Sequence, residues 1–323
     1  MGVSNGEILF LYEARLCNPN GDPDNENKPR LDVKTGRNLV SDVRLKRYFR
    51  DYIASKFGED YVWVTKLGGE HVDATTRLAR LLGKDSRGVT RYVKEHPKEV
   101  KELLKRRLVD LRLFGATVPV KAGEGERAGE SMSFTGPVQF SWGFSLHPVE
   151  LVDSSTITSV FSGRGTEYGN IGKDWRLYYS LIAFYGVVSG HRAEYTGMTE
   201  KDLKILDYGL WKALELQATT RSKVGQRPLL YLRVEHADSE TLLGDLRRFL
   251  RVEWNDTIRE LSDVKVDFSD LVRALKSGKV ARVYVKCSEE FSGFCDKLKE
   301  ELKGRVEDVG ELTPEELKAF GVS

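Results

Sequence analysis

The apolar positions of this chain change period several times. In residues 6–17, GEILFLYEARLC, every second position from Ile8 to Leu16 is apolar, and Leu9 and Leu11 are apolar as well. That spacing predicts a strand buried on both faces near its start. From about residue 41 to 57 the period becomes helical. Leu45, Phe49, Tyr52 and Ile53 share a face, Ser41 stands in the N-cap position, and Asp42 suits the positive end of the helix dipole. Lys46, Arg47 and Arg50 fall on the flank beside that face, with Arg44 on its other side. Residues 61–65 predict a short strand. Residues 73–108 read as mostly helical with a break at GKDSRGVT, Pro97 opening the last helix. LVDLRLFGATV then returns to strand, and the glycine-rich residues 121–131 form a loop.

PVQFSWGFSLH, residues 137–147, alternates between an apolar face (Val138, Phe140, Trp142, Phe144, Leu146) and a small polar one that includes Gln139. The polar face suits either solvent or a chain lying along it. Residues 155–173 read as a β-hairpin around SGRG, and RLYYSLIAFYGVVS as a long buried strand. Residues 199–217 form a helix, opened by Thr199 and Asp202 and striped by Leu203, Leu206, Leu210 and Leu214. RPLLYLRVEH is the next strand. This succession predicts an α+β fold of the β-α-β-β-α-β ferredoxin-like type over residues 1–235, with insertions at about 60–107 and 148–173. Residues 236–323 form an α/β extension with helices near 240–250 and 293–304 and the strand ARVYVKC between them.

Charge sharpens the picture. Residues 1–235 hold 36 Lys/Arg against 30 Asp/Glu, whereas residues 236–323 hold 15 against 19, an acidic tail on a basic body. Eight basic and two acidic residues crowd into residues 28–50, the local signature of a polyanion site. No apolar run is long enough to span a membrane, and the first ten residues lack a secretory pattern. Cys17, Cys287 and Cys295 show neither metal spacing nor an even framework, which fits a reducing cytoplasm.

Between the first strand and the first helix lies CNPNGDPDNENKPR, residues 17–30, with three prolines and four asparagines. It fails as a calcium loop: counted from Asp22, positions 6 and 12 are Asn27 and Val33 rather than Gly and Glu. GRGTEYG lacks the Lys-Ser/Thr of a phosphate-binding loop, there is no G-x-S-x-G elbow, and the five histidines have no ligand spacing. No metal or cofactor is expected. A loop of amides and backbone N–H groups at a helix N-terminus, followed by Lys46 and Arg50, does suit phosphate and ribose oxygens read without regard to base. The aromatic motif of a base-stacking RNA-recognition sheet is absent.

These same residues carry a resemblance. NPNGDPD, KPRLD…TG and VSDVRLKRYFRDY, followed in order by LFGA, TGPVQF, TEYGNIGK and WKAL, resemble the CRISPR-associated Cas-seven family, and within it the Csh-two subgroup of type I-B Cascade, over about residues 7–235. YGNIGK departs from the family's Met-Gly-Lys wording. The resemblance implies a modified RRM palm, helical fingers at about 60–107 and a β-hairpin thumb at about 152–173. It implies a non-catalytic scaffold, copies of which stack head to tail on one CRISPR RNA, pair its guide with a target DNA strand, and meet Cas-five and Cas-eight type subunits. The RNA-contact set expected on this basis is Asn18, Asn20, Arg30, Arg44, Lys46, Arg47, Arg50, Gln139, Arg164 and Lys173. The related type III subunits cut RNA with a loop aspartate, so Asp32 is the residue on which an endoribonuclease alternative rests.

Overall fold

The computed structural model describes residues 2–85, 88–119, 131–158, 171–216, 221–313 and 316. Strand Gly6–Cys17 is the axis of its main sheet. It pairs antiparallel with Leu177–Val188 on one side and with Gln226–His236 on the other. Outside Leu177–Val188 lie Val138–Phe140 and Gly143–Pro148, then Arg37–Val40 and Leu31–Asp32. Outside Gln226–His236 lie Val280–Cys287 and, parallel to it, Val306–Asp308.

Both faces of the axis strand are covered, which is why its apolar residues run together rather than alternate. Ile8, Phe10 and Tyr12 pack under helices Asp42–Phe57 and Glu200–Leu216, against Leu45, Phe49, Leu206 and Leu210. Leu9 and Leu11 face the opposite way, into a second core with Leu271, Leu275 and Leu298 of the C-terminal helices Ser269–Leu275 and Ser292–Leu302. A third core, around Leu78, Val93, Val100 and Leu104, holds helices Ala74–Leu82, Gly88–Glu95 and Pro97–Arg107 together.

Beside these strands and the second core, one buried carboxylate fastens the start of the C-terminal part to the sheet. Glu7, fully buried, accepts hydrogen bonds from Tyr185 Oη at 2.6 Å, Leu243 N at 2.6 Å and Gly244 N at 2.8 Å, and lies 2.8 Å from His236 Nε2. Burial alone would push the Glu7 carboxyl up, but the hydrogen bonds from His236, Tyr185 and Leu243 together hold it below the ordinary glutamate range.

Several expectations are corrected. Residues 61–65 form no strand: a 3-10 turn, Glu59–Tyr61, is followed by backbone fastened to Asp110. LVDLRLFGATV divides into helix Val109–Phe114 and strand Gly115–Pro119, because Gly115 takes φ +76° and its missing Cβ leaves room for the Phe134 carbonyl. The strand read over 137–147 breaks at Ser141–Trp142, which turns Trp142 out to 46% exposure. Its polar face is exposed at Ser141 but covered from Gly143 onward. Ser145 and His147 are fully buried, Ser145 Oγ accepting from Asn38 N and His147 Nε2 accepting from Leu181 N. The helix expected near 240–250 is a 3-10 turn, Leu246–Phe249, while helices Gly190–Thr196 and Ser269–Leu275 were not anticipated. Cys287 and Cys295 form a disulfide, since the end of one strand and the first turn of the next helix bring their Cα atoms within 6.4 Å. Cys17 remains free and buried, and burial pushes its thiol up to about 12. The loop read at 121–131 lies, but for Ser131, outside the described residues.

Candidate nucleic-acid interface

The loop after the axis strand is a fastened structure. Asn18 N donates to Ser222 O at 2.8 Å and Asn18 Nδ2 to Asn27 O at 2.8 Å. Asn20 Oδ1 accepts from both Ser41 N, 2.8 Å, and Ser41 Oγ, 3.0 Å, so the loop holds the very residue that caps helix Asp42–Phe57. The tip turns back through Glu26 and Asn27, at φ +48° and +60°, a conformation that asparagine tolerates. A Cβ at Gly21 would meet the Asn27 side chain at 2.0 Å, so only glycine fits there. Asn18 and Asn20 thus spend side-chain groups on the loop and on the helix cap, with Asn18 Oδ1 left buried without a partner, while Asn25 and Asn27 stay exposed.

The loop itself exposes the acids Asp24 and Glu26, but at its base cations gather from several stretches of the chain. Lys28 Nζ lies 4.5 Å from the Trp175 ring centre, and Lys173 Nζ 5.8 Å from the same ring. Arg30 pairs with Asp22 at 3.2 Å and lies over Trp142 at 5.8 Å. Arg44 stacks on Tyr48 at 4.2 Å. Arg221, its side chain 65% exposed, reaches Asp174 at 3.3 Å. Lys223 donates to Asn18 O; burial first, then the neighbouring Arg44 charge, brings its ammonium down to about 8. A cavity of about 260 Å³ opens in this group, lined by Asn18, Asn27, Lys173, Trp175 and Arg221, with the Asp174 carboxylate in its wall. Opposite charge in the form of phosphate would relieve the mutual repulsion of these groups.

The other expected contacts sit elsewhere. Lys46 and Arg50 are turned inward, each only 8% exposed. Lys46 Nζ donates to Asp42 at 3.0 Å and to Gln139 Oε1 at 3.1 Å, and Gln139 Nε2 donates to the Phe114 and Gly136 carbonyls. Two residues 93 positions apart are thus brought together, but by the fold rather than at its surface. Arg50 pairs with the fully buried Asp110 at 2.9 Å. The helical period identified their flank correctly; it could not show that Asp110 and Gln139 would cover it. Arg47 stays partly exposed in a pair with Asp51. Arg164 lies outside the described residues. The hairpin expected over 155–173 is seen at its base, where Thr156–Thr158 pairs antiparallel with Ile171–Lys173 beside the lysine cluster.

Asp32 orders a turn. Its carboxylate accepts from Thr35 Oγ1 at 2.6 Å and from Lys34 N at 3.0 Å, which lower its affinity for a proton. Among the described residues no three His, Cys, Asp or Glu side chains are grouped to hold a metal, and no helix is long and apolar enough to cross a membrane. Sequence reasoning missed Lys28, Trp175 and Arg221. The basic density of residues 28–50 pointed at Lys28, but nothing local connects it with residues 173–175 and 221.

Three comparisons bear on this arrangement. The family model for CRISPR-associated protein Cas7 matches residues 4–269. A CRISPR-associated protein Cas7 of Haloferax volcanii is 35% identical over 290 residues, covering 85% of this chain and 83% of that one. Among solved structures, a chain of a CRISPR RNA-guided surveillance complex in a pre-nicking state aligns over 98% of both chains at TM-score 0.55 and 16% identity, a likeness of fold. The family match reaches beyond the last motif read from sequence, to residue 269, and takes in the strands Arg251–Trp254 and Val264–Asp267. The chain belongs to the CRISPR-associated protein Cas7 family.

Proposed function

We propose that this protein is the CRISPR RNA-binding backbone subunit of a type I-B Cascade, holding the guide by its phosphates without regard to sequence. The observation that carries the reading is the convergence of Lys28, Arg30, Arg44, Lys173 and Arg221 on the loop at the start of helix Asp42–Phe57. These groups are drawn from four separate stretches of a chain whose net charge is only +2. Phosphate contact is the economical account of such local concentration.

In this reading the sheet built on Gly6–Cys17 with its two long helices is a modified RRM palm spanning residues 1–235. The third core is the fingers, at about 60–107, and the hairpin at about 152–173 is the thumb. The broad face of an RNA-recognition sheet, where bases would stack, is here occupied by the C-terminal helices, which supports a route for RNA along the loop side instead. Copies stack head to tail, a contact that does not close and so propagates along the guide. Base pairing to the target DNA strand supplies specificity, and Cas-five and Cas-eight type subunits cap the ends. Of the contacts first considered, Arg30, Arg44, Arg47 and Lys173 stay in the RNA-facing set, joined by Lys28 and Arg221. Asn18 and Asn20 shape the loop, and Lys46, Arg50 and Gln139 support it from within.

The subunit is non-catalytic in this account. The test is incubation with labelled single-stranded RNA and magnesium or manganese. Bound, intact RNA is expected. Cleavage abolished by Asp32→Ala would transfer the chain to the endoribonuclease reading.

A further inference from the structure

Two tryptophans stand beside the cations at the base of this loop, and the phosphate-binding account gives neither ring a role. Trp142 is 46% exposed although it interrupts a stretch of sheet whose neighbours Phe140 and Leu146 are buried. It is put there by a break in the strand, and its backbone carbonyl is held by Arg247 Nη1 at 2.8 Å. Trp175 lines the 260 Å³ cavity. Each ring carries a cation from the same short segment: Lys28 over Trp175 at 4.5 Å, and Arg30, two residues later, over Trp142 at 5.8 Å. The arginine theme continues past Trp142, where Phe144 lies between Arg37 at 5.4 Å and Arg247 at 4.2 Å.

An exposed indole is costly to leave in water unless something covers it. A protein partner would call for a contiguous apolar patch, but the groups around Trp142 are guanidinium groups. Aromatic rings interleaved with cations are the composition that holds single-stranded nucleic acid, each ring offering a face to a base and each cation reaching the neighbouring phosphate. We propose that Trp142 and Trp175 are stacking shelves for unpaired bases of the bound RNA, flanking the loop whose Lys28 and Arg30 engage the phosphates between them. Every base has a π-face, so the shelves add affinity without adding sequence preference. This rests on the RNA-binding reading and changes one element of it: the bases as well as the backbone contribute to binding, through a site unrelated to the sheet face of an RNA-recognition domain.

The experiment compares two probes of equal length and charge, an oligouridylate and an abasic RNA backbone, on the full chain. The wild-type protein is expected to bind the oligouridylate more tightly, with quenching of tryptophan fluorescence on binding. Trp142→Ala should lose roughly fivefold or more in oligouridylate affinity, leave abasic affinity unchanged, and be largely rescued by Trp142→Phe. Trp175→Ala should behave alike. Should that variant lose its fold, Trp142→Ala decides alone, since its exposed ring supports little core. Equal binding of both probes by the wild type, or an equal loss for both in Trp142→Ala, overturns the shelves while leaving phosphate binding in place. Failure of the wild type to bind either probe overturns the RNA-binding reading itself.

Discussion

Arg50 Nε and Asp110 Oδ2 lie 2.9 Å apart, joining the first long helix to the segment that leads out of the helical insertion. Asp110 has no exposure, and it also accepts from Trp63 N at 2.7 Å and Val64 N at 3.3 Å. A single buried carboxylate therefore fixes three pieces of backbone. Removing its cation leaves a buried charge with only the two backbone N–H groups to balance it. Arg50→Ala is expected to destabilise the protein by about 3–5 kcal/mol, seen as a lowered melting temperature, while the salt dependence of RNA binding by the folded fraction stays as in wild type. An unchanged melting temperature with a flatter salt slope would instead assign Arg50 to the RNA.

Charge removal at the surface should act the other way round. Lys28→Ala, Lys173→Ala and Arg221→Ala each delete a cation at the loop cavity. Each is expected to flatten the slope of log affinity against log salt by about 0.7, the single-strand value per phosphate contact, and by the same amount for unrelated RNAs. Isotherms at several salt concentrations measure it. A loss that varied with RNA sequence would point to base readout at these positions.

Glu7 predicts an acid transition. Its folded-state carboxyl is held below the ordinary glutamate value by its hydrogen-bond donors, against the cost of burial. A depressed carboxyl contributes stability that is fully present above the unfolded-state value, about 4.3, and is lost as pH falls through the folded value. Melting temperature should therefore fall steeply below about pH 4 in the wild type. Glu7→Gln should be less stable at neutral pH and show a shallower acid limb. A parallel curve for the variant would mean that other carboxylates dominate acid unfolding.

At the hairpin base, where Thr156–Thr158 pairs with Ile171–Lys173, Thr156 and Lys173 are exposed and Ile157 is 36% exposed. Replacing residues 156–171 by a short Gly-Ser linker should leave the melting temperature nearly intact. It should cripple cooperative assembly on long RNA, with much less effect on one subunit bound to short RNA. Sedimentation with both lengths separates these outcomes. Full assembly by the deletion variant would remove the thumb from the account.

The axis strand, both long helices and their caps were legible in sequence because each is fixed by local periodicity and a neighbouring polar residue, as with Ser41 and with Thr199 and Asp202. Residues 108–118 were not: their apolar run suits strand and buried helix equally, and only the turn at Gly115 divides them. The site was half legible. Basic density pointed to the loop, but whether a given cation faces outward or into the fold depends on partners such as Asp110, 60 residues from Arg50, and Gln139, 93 residues from Lys46. The pairing of Lys28 with Trp175 likewise joins residues far apart in the chain.

The central claim is that RNA is held through its phosphates whatever its sequence. It is tested most directly by titrating the purified protein with two unrelated single-stranded RNAs of equal length across a range of salt concentrations. Coincident isotherms at each concentration, weakening steeply and in parallel as salt rises, are the predicted result. Affinities that differ strongly between the two RNAs, or that hardly respond to salt, would contradict it.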